Sequence, residues 1–372
     1  MRRRTRRGVI EASAGMVAAV LAASTLTGCG VAGDAPDRPL VGVAMPTTTS
    51  QRWIADGDNV TAQLESLGYD VDLRFAEDDV PTQVAQLEEM VAAGADALVI
   101  GSIDGVALKD VLAQARGAGI PVVAYDRLIR ESPDIDYYAT FDNARVGVLQ
   151  ATSLLQGLGV LDAGGQPTGD PGPFAVELFA GSPDDNNATV FYEGAMQVLQ
   201  PYLDSGVLTV ASGETDFASI ATDAWSADIA AARMQELLPL YTGKARLDGV
   251  LSPFDGISRA VLGAVQGVGY GTGGLPLPVV TGQDAELDSA RSIGAGVQHS
   301  TIYKDTRQLA EVAVSMVRAL LEGIEPEAND ITTYDNGVMV VPSYLLAPQL
   351  VTKENYRAVL VDSGYYTAEE LS

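Results

Sequence analysis

From residue 40 onward, short runs rich in Val, Ile and Ala alternate with longer stretches whose apolar positions recur at helical spacing. The runs at 40–45, 71–75, 97–101 and 121–125 read as strands, and the stretches at 54–67, 84–93 and 106–118 as amphipathic helices. Such alternation predicts β-α-β units and a parallel sheet. Gly68, Gly94 and Gly119 each follow a predicted helix, where glycine ends the last turn favourably. The rhythm then returns, with strands at 174–179, 207–210, 249–251 and 279–281 and helices at 190–199, 227–238, 258–266 and 287–293. A further apolar run at 300–303 precedes a long amphipathic helix at 306–321. The expected fold class is α/β, with two similar open parallel-sheet units. The Gly/Pro-rich stretch 163–173 is expected as an exposed loop of the second.

The beginning of the chain follows another pattern. Arg2, Arg3, Arg4, Arg6 and Arg7 precede an apolar stretch at 14–26 that is short for a membrane span, which reads as a signal peptide over residues 1–28. It ends in Leu26-Thr27-Gly28-Cys29, similar to the lipobox at which bacterial lipoproteins are cleaved and acylated, so Cys29 is the expected lipidation site. The alternative is a chance cysteine in an ordinary secretory signal, and the arginine pairs leave a twin-arginine export route open. Cys29 is the sole cysteine, which excludes a disulfide framework. Removing residues 1–28 of 372 leaves about 344, enough for two domains that each bury a core.

Charge narrows the partners. Taking the five arginines and Glu11 from totals of 23 basic and 49 acidic residues leaves a net charge of −30. A surface this acidic repels nucleic acid and anionic lipid heads, so contact with a membrane is expected through the lipid alone. One histidine, His299, argues against a His-rich metal site or a His-based triad. No metal, cofactor or catalytic residue is assigned.

In open parallel sheets ligands bind beyond the carboxyl ends of the strands. The residues there are polar: Gln51-Arg52-Trp53, Ser102-Ile103-Asp104, Asp126-Arg127, Asp142-Asn143, Asp184 to Asn187, Phe254-Asp255, Gln283-Asp284 and Lys304. A sugar presents hydroxyls that both donate and accept, together with apolar C–H faces. Carboxylates, amides and guanidinium groups match the first, and an indole plate the second. The two tryptophans, Trp53 and Trp225, fall one in each predicted unit and are candidates for stacking, with core filling as the alternative. Asp126 and Asp284 are expected to hold the guanidinium of Arg127 toward the ligand; a surface ion pair is the alternative for Asp126 and Arg127. Within Asp185-Asn186-Asn187 one residue is expected to cap the next helix. Gly267-Val268-Gly269-Tyr270-Gly271 follows a predicted helix instead of a first strand and reads as a loop, not a dinucleotide turn. Asp184-Asp185 could suggest glycoside hydrolysis, but neighbouring acids in one loop need not flank one bond.

Several segments together resemble a known family: Ala44-Met45-Pro46, Arg52-Trp53, Ala124-Tyr125-Asp126-Arg127, Thr140-Phe141-Asp142-Asn143, the stretch 181–188, Gly282-Gln283-Asp284-Ala285-Glu286 and the stretch 300–305, with the tail at 351–356. They are similar to the bacterial multiple-monosaccharide-binding receptors of the ChvE type, related to xylose-binding proteins within the type 1 periplasmic binding fold. The resemblance implies two Rossmann-like lobes joined by a three-segment hinge, with an aldose in the cleft. The implied sugar contacts are Arg52, Trp53, Asp126, Arg127, Asp185, Asn187, Trp225, Asp255, Asp284 and Lys304. Xylose binders carry asparagine where Phe254 stands, which favours broader aldose binding.

The resulting expectation is a monomeric lipoprotein, not an enzyme, that closes on a monosaccharide and delivers it to an ABC-type permease. The alternative partner is a chemoreceptor or sensor kinase. A transcription regulator of related fold would carry a helix-turn-helix where this chain has an export signal. Expected boundaries are a linker at 29–38, a first lobe at 39–142 plus 304–330, a second at 143–303 plus 331–350, and a tail at 351–372.

Overall fold

The computed structural model describes residues 38–241 and 246–372. The expected signal peptide and Cys29 lie outside the described residues. The chain enters as β1 (Leu40–Met45), α1 (Gln51–Ser66), β2 (Asp70–Phe75), α2 (Val80–Ala92), β3 (Ala97–Ile100), α3 (Lys109–Ala118), β4 (Val122–Tyr125) and β5 (Tyr137–Phe141). It continues through α4 (Asn143–Gly157), β6 (Phe174–Leu178), α5 (Asn186–Asp204), β7 (Leu208–Thr209), α6 (Phe217–Ile220), α7 (Ala227–Leu237), β8 (Gly249–Leu251), α8 (Asp255–Gly267), β9 (Val279–Val280), α9 (Leu287–Ala295) and β10 (Ser300–Tyr303). The helix α10 (Thr306–Leu321) and the strands β11 (Ser343–Leu346) and β12 (Gln349–Thr352) follow.

The first lobe is a six-stranded parallel sheet in the order β11-β5-β4-β3-β1-β2. Its central strands are apolar along their length because helices cover both faces. Ala44, Leu98 and Ile100 pack with Leu87, Met90, Val111 and Leu112 of α2 and α3. Val41, Val43, Met45 and Val99 pack on the other face with Val60, Leu64, Leu309 and Val317 of α1 and α10. The second lobe is a four-stranded parallel sheet, β7-β6-β8-β9, again with a core on each side. Gly68, Gly94 and Gly119 adopt φ of +92°, +80° and +77° at the helix ends, as their positions predict.

Three segments cross between lobes. The chain leaves β5 for α4, which packs on α5 of the second lobe; it returns from β10 to α10 against α1; and it leaves β11 for β12, which pairs antiparallel with β10. The last crossing differs from the expected boundaries, which put 331–350 in the second lobe. Ser343 to Leu346 instead pair in parallel register with Tyr138 to Phe141. Tyr334 packs edge-on against Tyr138 with ring centroids 5.2 Å apart, so the preceding segment also completes the first-lobe core. Only after residue 346 does the chain pass to the second lobe, where Val351, Val359, Leu360 and Leu371 of the tail form a core with Ala285, Ala290 and Tyr303.

Candidate functional site

Three helices begin at the cleft between the lobes and set its chemistry. α1 carries Arg52 and Trp53 in its first turn, α5 follows the Asp185 cap and carries Asn187, and α8 follows Phe254 at its N-cap position. The helix α1 begins three residues earlier than the apolar pattern predicts: its first turn carries the polar Arg52 to the cleft, and Trp53 both lines the cleft and packs with the first-lobe core.

Arg52 lies at the centre of a buried charge cluster. Its Nε is 3.0 Å from Asp56 one helical turn along, one terminal nitrogen is 2.5 Å from Asp126 Oδ1, and the other is 3.5 Å from Asp284 Oδ1. Lys304, 1% exposed, places Nζ 3.0 Å from Asp284 and 3.7 Å from Asp126. Buried charges are costly unless paired, and here each has an opposite partner. Burial works against the charged form of Arg52, but Asp126, Asp56 and Asp284 outweigh it and raise its pKa. Burial likewise opposes ionisation of Asp126, yet Arg52 and Lys304 hold its carboxyl well below the usual range. For Asp56 burial wins over Arg52 and the Tyr125 hydroxyl, and its carboxyl is raised to about 7.

Asp126 has a left-handed backbone, φ +60°, directly after β4. Its carbonyl accepts from Tyr138 Oη at 2.5 Å, Asn187 Nδ2 at 2.8 Å and Thr140 Oγ1 at 2.9 Å. Non-glycine residues remain in this region only where several contacts over-determine them, a situation found at ligand clamps. The turn sends the neighbouring side chains apart. Arg127 is not held by Asp126 and Asp284, as the sequence suggests; those carboxylates hold Arg52. Arg127 instead sets Nε 2.9 Å from Asp185 Oδ2 and donates to the carbonyls of Ser102 and Ile103 at 3.1 and 3.3 Å. Asp185 caps α5 as well, accepting from the Asn187 amide at 2.9 Å.

Aromatic faces complete the lining. Trp53 lies under Arg127, whose guanidinium carbon is 5.2 Å from the ring centroid. Trp225, φ +55°, makes edge contacts with Phe191 and Phe254 at centroid distances of 6.4 and 6.2 Å. Its ring lies so close to Gly181 that a Cβ there would be 2.0 Å from it.

These side chains surround a cavity of about 740 Å³, lined by nine of the ten sequence-derived contact candidates. The tenth, Asp255, lies behind the wall. It is wholly buried and accepts from the Glu286 amide at 2.9 Å, Gln298 Nε2 at 2.8 Å and Thr301 Oγ1 at 3.0 Å, so its work is to brace the lining. Phe191, Arg259, Gln283 and Glu286 line the cavity and were not among the ten implied sugar contacts, although Gln283 was one of the polar strand-end residues. Gln283 and Glu286 follow β9 and were within reach of the strand-end rule. Phe191 lies well inside α5, where an aromatic residue reads as core. Ser50 Oγ donates to Glu286 at 2.9 Å, and Arg259 pairs with the same carboxylate at 2.6 Å.

Two open parallel-sheet lobes, three crossings and a polar, aromatic-walled cleft between them define a bilobal solute-binding protein. The chain belongs to the periplasmic binding protein family, whose domain matches residues 41–325. It is 56% identical over 337 residues to the multiple sugar-binding periplasmic receptor ChvE of Rhizobium radiobacter, covering 91% of this chain and 93% of that one. It is 35% identical to the D-xylose-binding periplasmic protein of Escherichia coli, over 89% of this chain and 92% of that protein. A solved ABC transporter solute-binding protein of Clostridium phytofermentans with bound β-D-glucose superposes with a TM-score of 0.84 at 45% identity, over 90% of this chain and all of that one. Membership of this family implies an extracytoplasmic location. Among the described residues no helix is long and apolar enough to cross a membrane.

Proposed function

We propose that this protein captures a free aldose, such as glucose, galactose, arabinose or xylose, by closure of its cleft and delivers it to an ABC-type permease. The observation that carries this reading is the composition of the cavity wall. Arg52, Arg127, Asp126, Asp185, Asn187 and Asp284 offer planar, fixed donors and acceptors, and the rings of Trp53, Trp225 and Phe254 offer apolar faces. Among the described residues, Trp225 Nε1 and Gln283 Oε1 have no hydrogen-bond partner. Such atoms gain when a ligand hydroxyl supplies one. The bound glucose of the Clostridium phytofermentans protein and the sugar-binding role in the name of the Rhizobium radiobacter protein support the same ligand class. Phe254, where xylose binders have asparagine, favours a range of aldoses over pentoses alone.

The acids act as hydrogen-bond acceptors and not as acid/base catalysts, so the sugar leaves unchanged. A closed form needs only to hold ligand more tightly than the open form for binding to shift the population, and the closed surface is what the permease meets. Acylation of Cys29 keeps the protein at the membrane. Calorimetric titration of the mature protein with a panel of aldoses tests the proposal. At least one should bind with saturable 1:1 stoichiometry; binding of none would overturn it.

A further inference from the structure

The second-lobe loop that faces Arg52 has an unfavourable backbone: Asp284 has φ +87° and Ala285 φ +50°. L-residues avoid this region and remain there only when their surroundings require it. Three successive amides are tied down. Asp284 N donates to the Ile302 carbonyl at 2.8 Å, Ala285 N to Thr301 Oγ1 at 3.1 Å, and Glu286 N to Asp255 Oδ2 at 2.9 Å. The fourth tie comes from the C-terminal tail, where the hydroxyl of Tyr366 donates to the Ala285 carbonyl at 3.0 Å, 81 residues away in sequence.

What this loop presents makes the tie consequential. Asp284 reaches Arg52 and Lys304, and Glu286 accepts from Ser50 at the start of α1, so both carboxylates on either side of Ala285 meet the first lobe. Tyr366 does not line the sugar cavity. It lines a smaller cavity of about 390 Å³ behind it, and Arg52, Asp284 and Glu286 are shared walls of the two. The tail holds its hydroxyl in place by independent means: Leu360 is fully buried in the tail core, and Arg307 of α10 donates to the Ser363 carbonyl at 3.2 Å.

We infer that Tyr366 is a positioning residue for ligand capture, fixing from outside the cavity the strained 284–286 loop whose carboxylates join the lobes in the closed form. The inference rests on the sugar-capture reading. The C-terminal tail thereby forms part of the binding apparatus without touching the ligand.

Tyr366→Phe tests this, since it keeps the ring and removes only the hydroxyl. Affinity for the best aldose should fall about fivefold, the equivalent of one hydrogen bond. The loss should appear in the dissociation rate, followed by tryptophan fluorescence, with the association rate and the active fraction unchanged. Adding Ala285→Gly to Tyr366→Phe should restore most of the affinity, because glycine takes positive φ without steric cost. A purely structural contact would lower the thermal midpoint of the ligand-free protein and would not be rescued. Affinity of Tyr366→Phe within twofold of wild type, or a loss that Ala285→Gly does not reverse, would overturn the role of the tail while leaving sugar capture intact. If the wild-type protein bound no aldose, the proposed function would fail and this role with it.

Discussion

The Nε of Arg127 lies 2.9 Å from Oδ2 of Asp185, and this buried ion pair spans the two lobes, since Arg127 follows β4 of the first and Asp185 caps α5 of the second. It exists only when the lobes are together. Its energy therefore enters the closed state and not the open one.

Asp185→Asn leaves the helix cap an acceptor but deprives Arg127 of its counter-charge. Loss of one member of such a desolvated pair costs on the order of 2–5 kcal/mol. Sugar affinity should drop accordingly, mainly through faster dissociation. Arg127→Lys keeps the charge but not the planar fork that also reaches Ser102 and Ile103, and should weaken binding too. Titration of both variants checks this; affinities within about twofold of wild type would mean that the pair does not contribute to closure.

The carboxyl of Asp56 is raised from 3.8 to about 7, by burial first. A group that holds its proton more tightly when folded stabilises the fold at low pH, and the contribution disappears as pH rises through its folded pKa. Between about pH 4 and 7 the Asp56 contribution should decline, with an upper bound on the order of 4 kcal/mol. Asp126 has the opposite sign, but its stabilisation is lost only as pH falls below the ordinary carboxylate range. Asp185 and Asp255 are also raised by burial, so the wild-type slope has several contributors. Thermal unfolding at pH 5 and pH 8 should show Asp56→Asn gaining on wild type at the higher pH, and an equal offset at both would refute the assignment.

Gly181→Ala would put a methyl group into the space of the Trp225 indole. The same ring lines the cavity, so the displacement should reach the ligand directly. We expect at least a tenfold loss of sugar affinity and a shift in tryptophan emission, with overpacking costing about 1–3 kcal/mol of stability. Fluorescence and titration of the same sample separate the two effects.

Cys29→Ser should release the protein from the membrane fraction into the soluble one. Fractionation of cells expressing either form tests the lipid anchor, and retention of the variant would mean that another group holds it there.

Much of the fold was legible because its strands are buried on both faces. A run such as 40–45 has no polar position to confuse its reading, and the helix at 306–321 has one clean apolar face; both elements have the predicted bounds. β11 was not legible. It has four residues, three of them only partly buried, and its partner β5 is remote in sequence. At the site, the strand-end rule led to Asp126, Arg127 and Asp284, but the pairing among them depends on the left-handed turn at Asp126, which no composition signals. Asp255 shows the same gap: its residue type suits a sugar contact, while its position behind Glu286 makes it a brace.

The separation between β5 and β11 also bears on how the chain is made. About 200 residues lie between Phe141 and Ser343, so at ordinary synthesis rates of roughly 5–20 residues per second the edge strand emerges on the order of 10–40 s after its partner. During that interval a nascent chain exposes the unpaired edge of Tyr137 to Phe141, a template for unwanted strand pairing. The whole four-stranded sheet of the second lobe is synthesised before the first lobe can be finished. Any holding factor that engages the growing polypeptide would therefore be needed longest at its earlier half.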